Sequence, residues 1–141
     1  APVDVVAIAT EAVAAAVAAA RQRQIELRVD GAFARSAHGD AWAVRRILDN
    51  LMSNAVKFSR PGGIVRVATV EAPGTVSVVV RDEGAGIPDS VLNGLARPDP
   101  QQAAIGAGLT LCRRLAATMG AELSFDRPAD GGTTATLRLP A

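Results

Sequence analysis

The sequence predicts a two-layer α/β sandwich (an α+β arrangement) in which a mixed, mainly antiparallel sheet of about five strands packs on three helices. Three segments carry apolar residues at helical spacing, and several shorter segments rich in Val and Thr are typical of strands. Turn residues separate these segments, and two packed layers are the simplest arrangement of such elements. A chain of 141 residues suits one hydrophobic core, so we expect residues 1–141 to form a single domain.

The first helix is predicted to begin after Asp4, which can cap its free amide groups. Its apolar positions follow helical spacing: Val6, Ala9, Val13, Ala16, Val17 and Ala20. A short strand is expected from Gln24 to Val29, ending at the turn Asp30-Gly31, and a second from Phe33 to Ala37.

The second helix is predicted from a cap at Asp40 to about Phe58, where Arg60-Pro61-Gly62-Gly63 ends it. Two strands follow, Ile64 to Glu71 and Val76 to Arg81.

The segment from Asp82 to Gly108 is rich in Gly, Pro and Asp, and an irregular segment of that length is usually functional. A third helix is expected from about Leu109 to Met119, with Gly120 as its stop. Strands from Glu122 to Asp126 and from Thr133 to Leu139 complete the predicted sheet.

Composition argues against several functions. The formal net charge is +1, and the chain has three Phe, one Trp and no Tyr, which disfavours binding of nucleic acid. Asp4 and Glu11 interrupt the apolar N-terminal run, so we expect no direct membrane contact. The single Cys112 has no disulfide partner in the chain, which fits a reducing compartment and predicts a cytoplasmic location. Cys112 and Trp42 are both predicted to pack in the core.

The second helix carries the most informative polar residues. Its apolar stripe runs through Val44, Ile47, Leu48, Leu51, Ala55 and Phe58. Asn50, Asn54 and Lys57 follow at i, i+4 and i+7 and form a second stripe beside it. Amide oxygens and an ammonium group are suited to a hydrated Mg²⁺ with phosphate. A solvated helix face is the alternative.

Two glycine-containing motifs follow. Asp82 comes directly after an apolar strand and opens Asp-Glu-Gly-Ala-Gly-Ile-Pro, where a carboxylate can accept an exocyclic amine and glycines allow close approach to a flat ring. Gly106-Ala107-Gly108-Leu109 leads into the third helix, where backbone amides can face a phosphate. Each motif alone is weakly specific.

The order of the motifs is much more specific. Asn-x-x-x-Asn-Ala-x-Lys-Phe, Asp-x-Gly-x-Gly-Ile-Pro, Gly-x-Gly-Leu and Gly-Gly-Thr-Thr follow one another along essentially the whole chain. This series resembles the catalytic and ATP-binding domain of sensor histidine kinases, which shares the Bergerat ATP-binding fold with gyrase-type ATPases. The resemblance implies phosphoryl transfer from ATP to a histidine.

The resemblance also implies a role for each motif. Asn50 and Asn54 would bind Mg²⁺ and the triphosphate, with Lys57 near the phosphates, and Asp82 would accept the adenine amino group. The remaining cofactor-binding residues would shape the base pocket or border the phosphates: Gly84, Gly86, Ile87, Thr133 or Thr134, and Gly106, Gly108 and Leu109.

Three features depart from the family pattern. The ATP lid, at about 88–106, is short and lacks the usual Phe-rich box, leaving Leu92 and Leu95 as its apolar candidates. Thr110 stands where the family commonly has a third glycine. Arg46 lies one turn before Asn50, where it either contacts phosphate or, as we favour, is exposed.

The implied partners are a separate dimerisation domain that carries the acceptor histidine and a response regulator downstream. His38 is followed by Gly39 rather than by the acidic residue common after that acceptor, so we expect a surface role for it. The isolated domain is expected to be a monomer. The alternatives are a degenerate kinase-like module with a regulatory or protein-interaction role, a serine kinase related to anti-sigma factors, and a gyrase-like ATPase.

Overall fold

The computed structural model describes residues 2–30, 36–84, 100–127 and 131–141, with only the backbone described for residues 100–107. Its elements in chain order are β1 (Pro2–Asp4), α1 (Val5–Gln22), β2 (Glu26–Asp30), β3 (Ser36–His38), α2 (Ala41–Phe58), β4 (Ile64–Ala72), β5 (Thr75–Arg81), α3 (Pro100–Thr118), β6 (Glu122–Asp126) and β7 (Thr134–Pro140). The predicted fold class is confirmed: three helices of the described chain pack on one face of a five-stranded sheet.

The main sheet has the strand order β2-β4-β5-β7-β6. β2 pairs with β4 in parallel, and the other neighbours are antiparallel, so the sheet is mixed and mainly antiparallel as predicted. A small second sheet, in which β1 pairs with β3, was not predicted. β3 overlaps the end of the strand expected from Phe33 to Ala37, of which residues 33–35 lie outside the described residues. The strand bounds differ from the predicted ones by at most two residues where the predicted strand lies wholly within the described chain, and those of β6 are as predicted.

α2 is the central helix of the helical layer, because it packs on α1, α3 and β5. Its predicted bounds are confirmed, and the Asp40 carboxylate caps it by accepting from the Ala43 amide at 3.1 Å. The predicted apolar stripe is buried from Val44 to Ala55, while Phe58 at the end is half-buried. Of the polar residues of this helix, Asn54 is buried in the core and Asn50 lies half-buried beside it.

α1 is capped as predicted, since Asp4 Oδ1 accepts from the Ala7 amide at 3.0 Å. The predicted stripe is partly wrong, because Val5, Ile8 and Ala12 are buried in place of Val6 and Val17. By length and composition alone α1 meets the test for a membrane span. Its buried residues, which make up 28% of the helix, belong to the same core as those of α2 and the sheet.

The predicted start of α3 is wrong, because the helix begins at Pro100 rather than near Leu109. Proline is favoured in the first turn of a helix, where its missing amide has no partner to lose. The predicted stop at Gly120 is confirmed by its φ of +68° and by the Ala121 amide, which donates to the Ala116 carbonyl at 2.9 Å.

The two predictions for single core residues have opposite outcomes. Cys112 is buried, as predicted, and burial raises the pKa of its thiol to about 11. Trp42 is 65% exposed, so its predicted packing in the core is wrong. Trp42 lies seven residues before Asp49, on the solvent side of α2, and the helical period places both on one line.

Candidate nucleotide-binding site

An amide pair on α2 forms the first part of the site. Asn54 Nδ2 donates to Asn50 Oδ1 at 3.1 Å, one helical turn away. Asn54 is only 3% exposed, whereas Asn50 is half-buried. A buried amide whose nitrogen is directed to its neighbour keeps its carbonyl oxygen for another partner. The predicted second stripe of α2 is therefore a partly buried polar site at these two positions rather than a solvated face.

α3 approaches this pair at Gly108. A Cβ atom at Gly108 would lie 2.6 Å from Asn50 Nδ2, so a side chain at this position would have to displace the Asn50 amide. Beside it lies a cavity of about 280 Å³ that is lined by Arg46, Asn50, Gly108, Cys112 and neighbours on both helices. Arg46 is exposed, as favoured from sequence, yet it lines this cavity, and its contact with phosphate stays a prediction.

Lys57 lies apart from that cavity. It is exposed and lines a different cavity of about 450 Å³ between α1 and α2, together with Arg23 and Met52. Arg23 Nη2 donates to the Lys57 carbonyl at 2.9 Å and so joins the ends of the two helices. The structure brings Asn50 and Asn54 together but does not bring Lys57 beside them.

The carboxylate of Asp82 forms the second part of the site. Asp82 is 3% exposed and follows β5 directly. Its Oδ1 accepts from the Thr133 amide at 3.0 Å, and its own amide donates to the Thr133 carbonyl at 3.0 Å. Thr133 thereby fixes both the backbone and the side chain of Asp82.

Burial changes the protonation of this carboxyl. Loss of solvent raises the pKa of Asp82 from 3.8 to about 6, against the opposing effects of the Thr133 amide and the positive charge of Arg127. A buried carboxylate with one remaining oxygen is a strong acceptor for an exocyclic amine.

The end of α2 is joined to the loop that follows Asp82. Ser59 and Gly84 form a bridge, and the Arg60 amide donates to the Glu83 carbonyl at 3.0 Å. Gly84 has a φ of +129°, and a Cβ atom there would lie 2.8 Å from the Arg60 nitrogen and 2.9 Å from the Phe58 carbonyl oxygen. Backbone packing therefore requires glycine at position 84. This close contact joins α2, which carries Asn54, to the segment that follows Asp82.

Two residues of this link were missed in the sequence. Ser59 is buried, and its Oγ accepts from the Glu83 amide at 3.4 Å. Gly132 has a φ of +81° and lies so close to Asp82 that a Cβ atom would be 2.3 Å from the Asp82 carbonyl oxygen. The Gly-Gly-Thr-Thr motif contains Gly132, but only its threonines were expected to border the nucleotide.

The remaining predicted residues divide into three groups. Gly86, Ile87 and the lid up to residue 99 lie outside the described residues. Gly106, Gly108 and Leu109 lie inside α3, so the expectation that the glycines precede a helix starting near Leu109 is wrong, while their contact with phosphate stays a prediction. Thr133 is buried, whereas Thr134 is the register partner of Arg81 and lies on the other face of the sheet.

His38 and Glu83 lie where the sequence analysis expected them, outside the candidate nucleotide site. His38 is exposed on β3, opposite Pro2. Glu83 does not join Asp82 in an acid–base pair; its Oε2 lies 3.8 Å from Arg60 Nη2. Within the described part of the chain, no group of three His, Cys, Asp or Glu side chains is arranged to hold a metal ion. The amide oxygens of Asn50 and Asn54 are the ligand atoms that fit a hard cation such as Mg²⁺.

Comparison of the sequence with known families gives one match over most of the chain. The profile of the family described as histidine kinase-, DNA gyrase B-, and HSP90-like ATPase matches residues 39–141. The chain is 37% identical over 108 residues to the histidine protein kinase DivJ of Caulobacter vibrioides, covering 72% of this chain and 18% of that protein. It is 32% identical over 118 residues to the sensor histidine kinase GtrS of Pseudomonas aeruginosa, covering 81% of this chain and 24% of that protein. The chain thus spans about a fifth of the length of these relatives.

Solved structures agree with the fold. The mycobacterial sensor histidine kinase MprB is 30% identical with a TM-score of 0.76, and the match covers 99% of this chain and 96% of that chain. The catalytic domain of histidine kinase ThkA has a TM-score of 0.83 at 17% identity, covering 99% and 95% of the two chains, which is a likeness of fold alone. Full-length ShkA, solved in complex with AMPPNP, has a TM-score of 0.81 at 26% identity, covering 99% of this chain and 30% of that chain.

Proposed function

Because the chain belongs to the family of histidine kinase-, DNA gyrase B- and HSP90-like ATPases, we propose that it is the ATP-binding catalytic domain of a two-component sensor histidine kinase. It binds Mg²⁺-ATP and donates the γ-phosphoryl group to a histidine on a separate dimerisation domain. The named relatives that share about a third of its residues are histidine kinases, which favours this branch of the family over the gyrase branch and over a serine kinase.

One observation supports the proposal most directly. The partly buried Asn50–Asn54 amide pair and the buried Asp82 carboxylate lie on two segments that the Ser59–Gly84 bridge joins. Candidate oxygen ligands for a metal-bound triphosphate and a candidate acceptor for an adenine amine are thus held on two connected segments.

The chemistry follows from what these residues can do. Asp82 accepts the adenine amine and orients the base, while Thr133 holds the carboxylate in place. Asn50 and Asn54 would hold Mg²⁺, which neutralises charge on the phosphates when bound. Phosphoryl transfer depends mainly on positioning and charge neutralisation, so a domain of this kind needs no nucleophile of its own.

The same proposal gives the partners and the setting. The dimerisation domain would supply the acceptor histidine, and a response regulator would take the phosphoryl group from it. The domain would act in the cytoplasm, including as the cytoplasmic part of a membrane-bound sensor, and would be a monomer in isolation. The relatives are multidomain sensor kinases of which this chain matches only a part, which agrees with a separate histidine-bearing domain.

Calorimetric titration of Mg²⁺-ATP into the domain tests the nucleotide site. We expect saturable binding that Asp82→Asn and Asn54→Ala both weaken by about tenfold or more, because each removes a direct contact. Ser77→Ala, on the opposite face of the sheet, is the control and should bind as the unmodified chain does. A folded domain that does not bind at millimolar nucleotide would leave the degenerate regulatory module as the better interpretation.

Incubation of the chain with γ-labelled ATP tests whether the acceptor histidine lies on a separate domain. We expect no label on the chain alone, because its single histidine, His38, is on β3 rather than on a dimerisation helix. Acid-labile label that disappears in His38→Gln would contradict the proposal of a separate acceptor.

A further inference from the structure

A groove runs between α1 and α2, and two contacts join the helices at its ends. Arg45 Nη1 donates to Glu11 Oε2 at 3.1 Å, and Arg23 Nη2 donates to the Lys57 carbonyl at 2.9 Å. Both contacts span 34 positions of sequence, so the two helices run parallel in a constant register. Glu11 and Arg23 are about 18 Å apart along α1, which sets the length of the groove.

Small side chains on α1 leave the middle of this groove unfilled. Before Gln22, every residue of α1 that lines it is an alanine: Ala12, Ala15, Ala16 and Ala19. On α2 the buried side chains of Met52 and Val56 form an apolar floor. The cavity has a volume of about 450 Å³, which lies in the range of small-molecule sites and far exceeds the voids that packed helices usually leave.

One end of the groove is positively charged. Arg23 and Lys57 line it where the two helices end, and neither forms an ion pair within the described part of the chain. Asp49 is the one acid among the described lining residues, and it lies about 12 Å before Lys57 along α2. Its Oδ1 accepts from Arg45 Nε at 2.9 Å, so its charge is already compensated. The cavity therefore combines an apolar body with an uncompensated positive end.

This combination favours an acid with a hydrocarbon chain. Arginine binds carboxylates through a planar set of donors, and the bond to the Lys57 carbonyl uses only one of the five N–H groups of Arg23. That bond also holds the guanidinium at the end of the groove. A partner helix would need a groove open at both ends, whereas the Glu11–Arg45 and Arg23–Lys57 contacts bridge this one.

We propose that the groove binds a medium-chain fatty acid, whose carboxylate pairs with Arg23 while its chain lies between Ala15 and Ala19 on one side and Met52 and Val56 on the other. The inference does not depend on the proposed function, because neither Arg23 nor the alanines of α1 are among the residues proposed to bind nucleotide.

The two methionines of the chain locate the ligand in the unmodified protein. Met52 lies on the floor of the groove, whereas Met119 directly follows α3, where its Sδ accepts from the Asp40 amide at 3.3 Å. With both methyl groups labelled with ¹³C, titration of sodium decanoate should shift the Met52 signal saturably and leave that of Met119 in place. Affinity should rise by about two- to fourfold for each methylene added from hexanoate to decanoate. Decyltrimethylammonium, with the same chain and the opposite charge, should shift neither signal.

Two leucine substitutions on α1 test whether the cavity holds the chain. Ala19→Leu places a larger side chain in the groove and should weaken decanoate binding by about tenfold or more. Ala18→Leu is the matched control, because Ala18 is also exposed on α1 but does not line the cavity. It should change the affinity by less than about twofold.

A second matched pair tests the charge. Arg23→Gln should weaken decanoate binding by about fivefold or more, because it removes the partner of the carboxylate. Arg21→Gln removes the same charge from an exposed position of the last turn of α1 that does not line the cavity, and it should leave the affinity within about twofold.

The Met52 signal decides the proposal even if a variant loses stability, because it is recorded on the unmodified chain. Absence of a saturable Met52 shift, or an equal shift of Met119, overturns the proposal. Equal weakening by Ala18→Leu and Ala19→Leu, or binding of decyltrimethylammonium as tight as that of decanoate, also overturns it. A Met52 shift produced by vesicles of anionic phospholipid but not by free decanoate would identify a membrane contact instead.

Discussion

Thr133 and Asp82 hold each other through two hydrogen bonds of 3.0 Å, one between backbones and one from the Thr133 amide to the Asp82 carboxylate, although 51 residues separate them. The first bond continues the pairing of β5 with β7 beyond the last strand residue, and the second fixes a side chain. The register of these two strands therefore sets the direction of the carboxylate that is proposed to bind adenine.

Replacing Asp82 by Asn should stabilise the domain at high pH while weakening nucleotide binding. Burial raises the pKa of Asp82 from 3.8 in the unfolded chain to about 6 in the folded one, so ionisation opposes folding as pH rises through that interval. At pH 8 the neutral amide should raise the free energy of unfolding by roughly 2–3 kcal/mol. Urea denaturation at pH 8 and pH 4 measures this effect.

The pH dependence is the control for that variant. At pH 4 the carboxyl of the folded protein is protonated, so most of the difference between Asp82→Asn and the unmodified domain should vanish. A difference that is the same at both pH values would mean that packing, rather than charge burial, distinguishes the two side chains.

Gly132→Ala should unfold the site through backbone overlap. Its added Cβ atom would lie 2.3 Å from the Asp82 carbonyl oxygen at a φ of +81°. We expect a loss of roughly 3 kcal/mol or more in the free energy of unfolding.

Gly74→Ala is the matched control for Gly132→Ala. Gly74 has a similar φ of +77°, but a Cβ atom there would have no neighbour within 4 Å. Thermal unfolding should show a loss of only about 1–2 kcal/mol, from the backbone conformation alone. Equal losses in the two variants would count against steric overlap with Asp82.

Gly108→Ala should separate stability from nucleotide binding. Alanine in a helix interior is favoured over glycine by about 0.5–1 kcal/mol, yet a Cβ atom at Gly108 would lie 2.6 Å from Asn50 Nδ2 and displace the amide. We expect the unfolding temperature to change little and the affinity for Mg²⁺-ATP to fall by about tenfold, comparable with Asn50→Ala.

Circular dichroism and calorimetry on the same samples check this prediction. A large loss of stability in Gly108→Ala would show that α3 moves as a whole, rather than Asn50. Unchanged affinity would show that the position of the Asn50 amide does not matter for the nucleotide.

Sedimentation measures the proposed monomeric state. We expect the mass of one chain, 14.4 kDa, at every concentration, because dimerisation is proposed to be the role of a separate domain. A stable dimer would contradict this expectation.

Local signals in the sequence were sufficient for much of the fold. Asp4 and Asp40 were predicted as helix caps from the residue type and the apolar spacing that follows, and both accept the expected amide. The start of α3 was missed because the glycines at 106 and 108 disfavour a helix interior, while packing against α2 can offset that penalty. Trp42 was misplaced because residue type was given more weight than its helical position.

The residues of the candidate site could be predicted from sequence only where they belong to a recognisable motif. Asn50, Asn54 and Asp82 are motif residues, and the structure buries or half-buries each of them. Ser59 and Gly132 contribute through contacts with Glu83 and Asp82 across 24 and 50 positions of sequence, which no local pattern reports. The position of Lys57 beside α1 depends on how two helices pack, which spacing within one helix cannot reveal.

The position of α2 in the core has a consequence for amide hydrogen exchange. Since this helix packs on α1, α3 and β5, the backbone amides of its buried central turns should exchange only when the whole domain unfolds. The proposed metal ligands Asn50 and Asn54 would then sit on the slowest-exchanging element of the molecule, with a local opening energy equal to that of global unfolding.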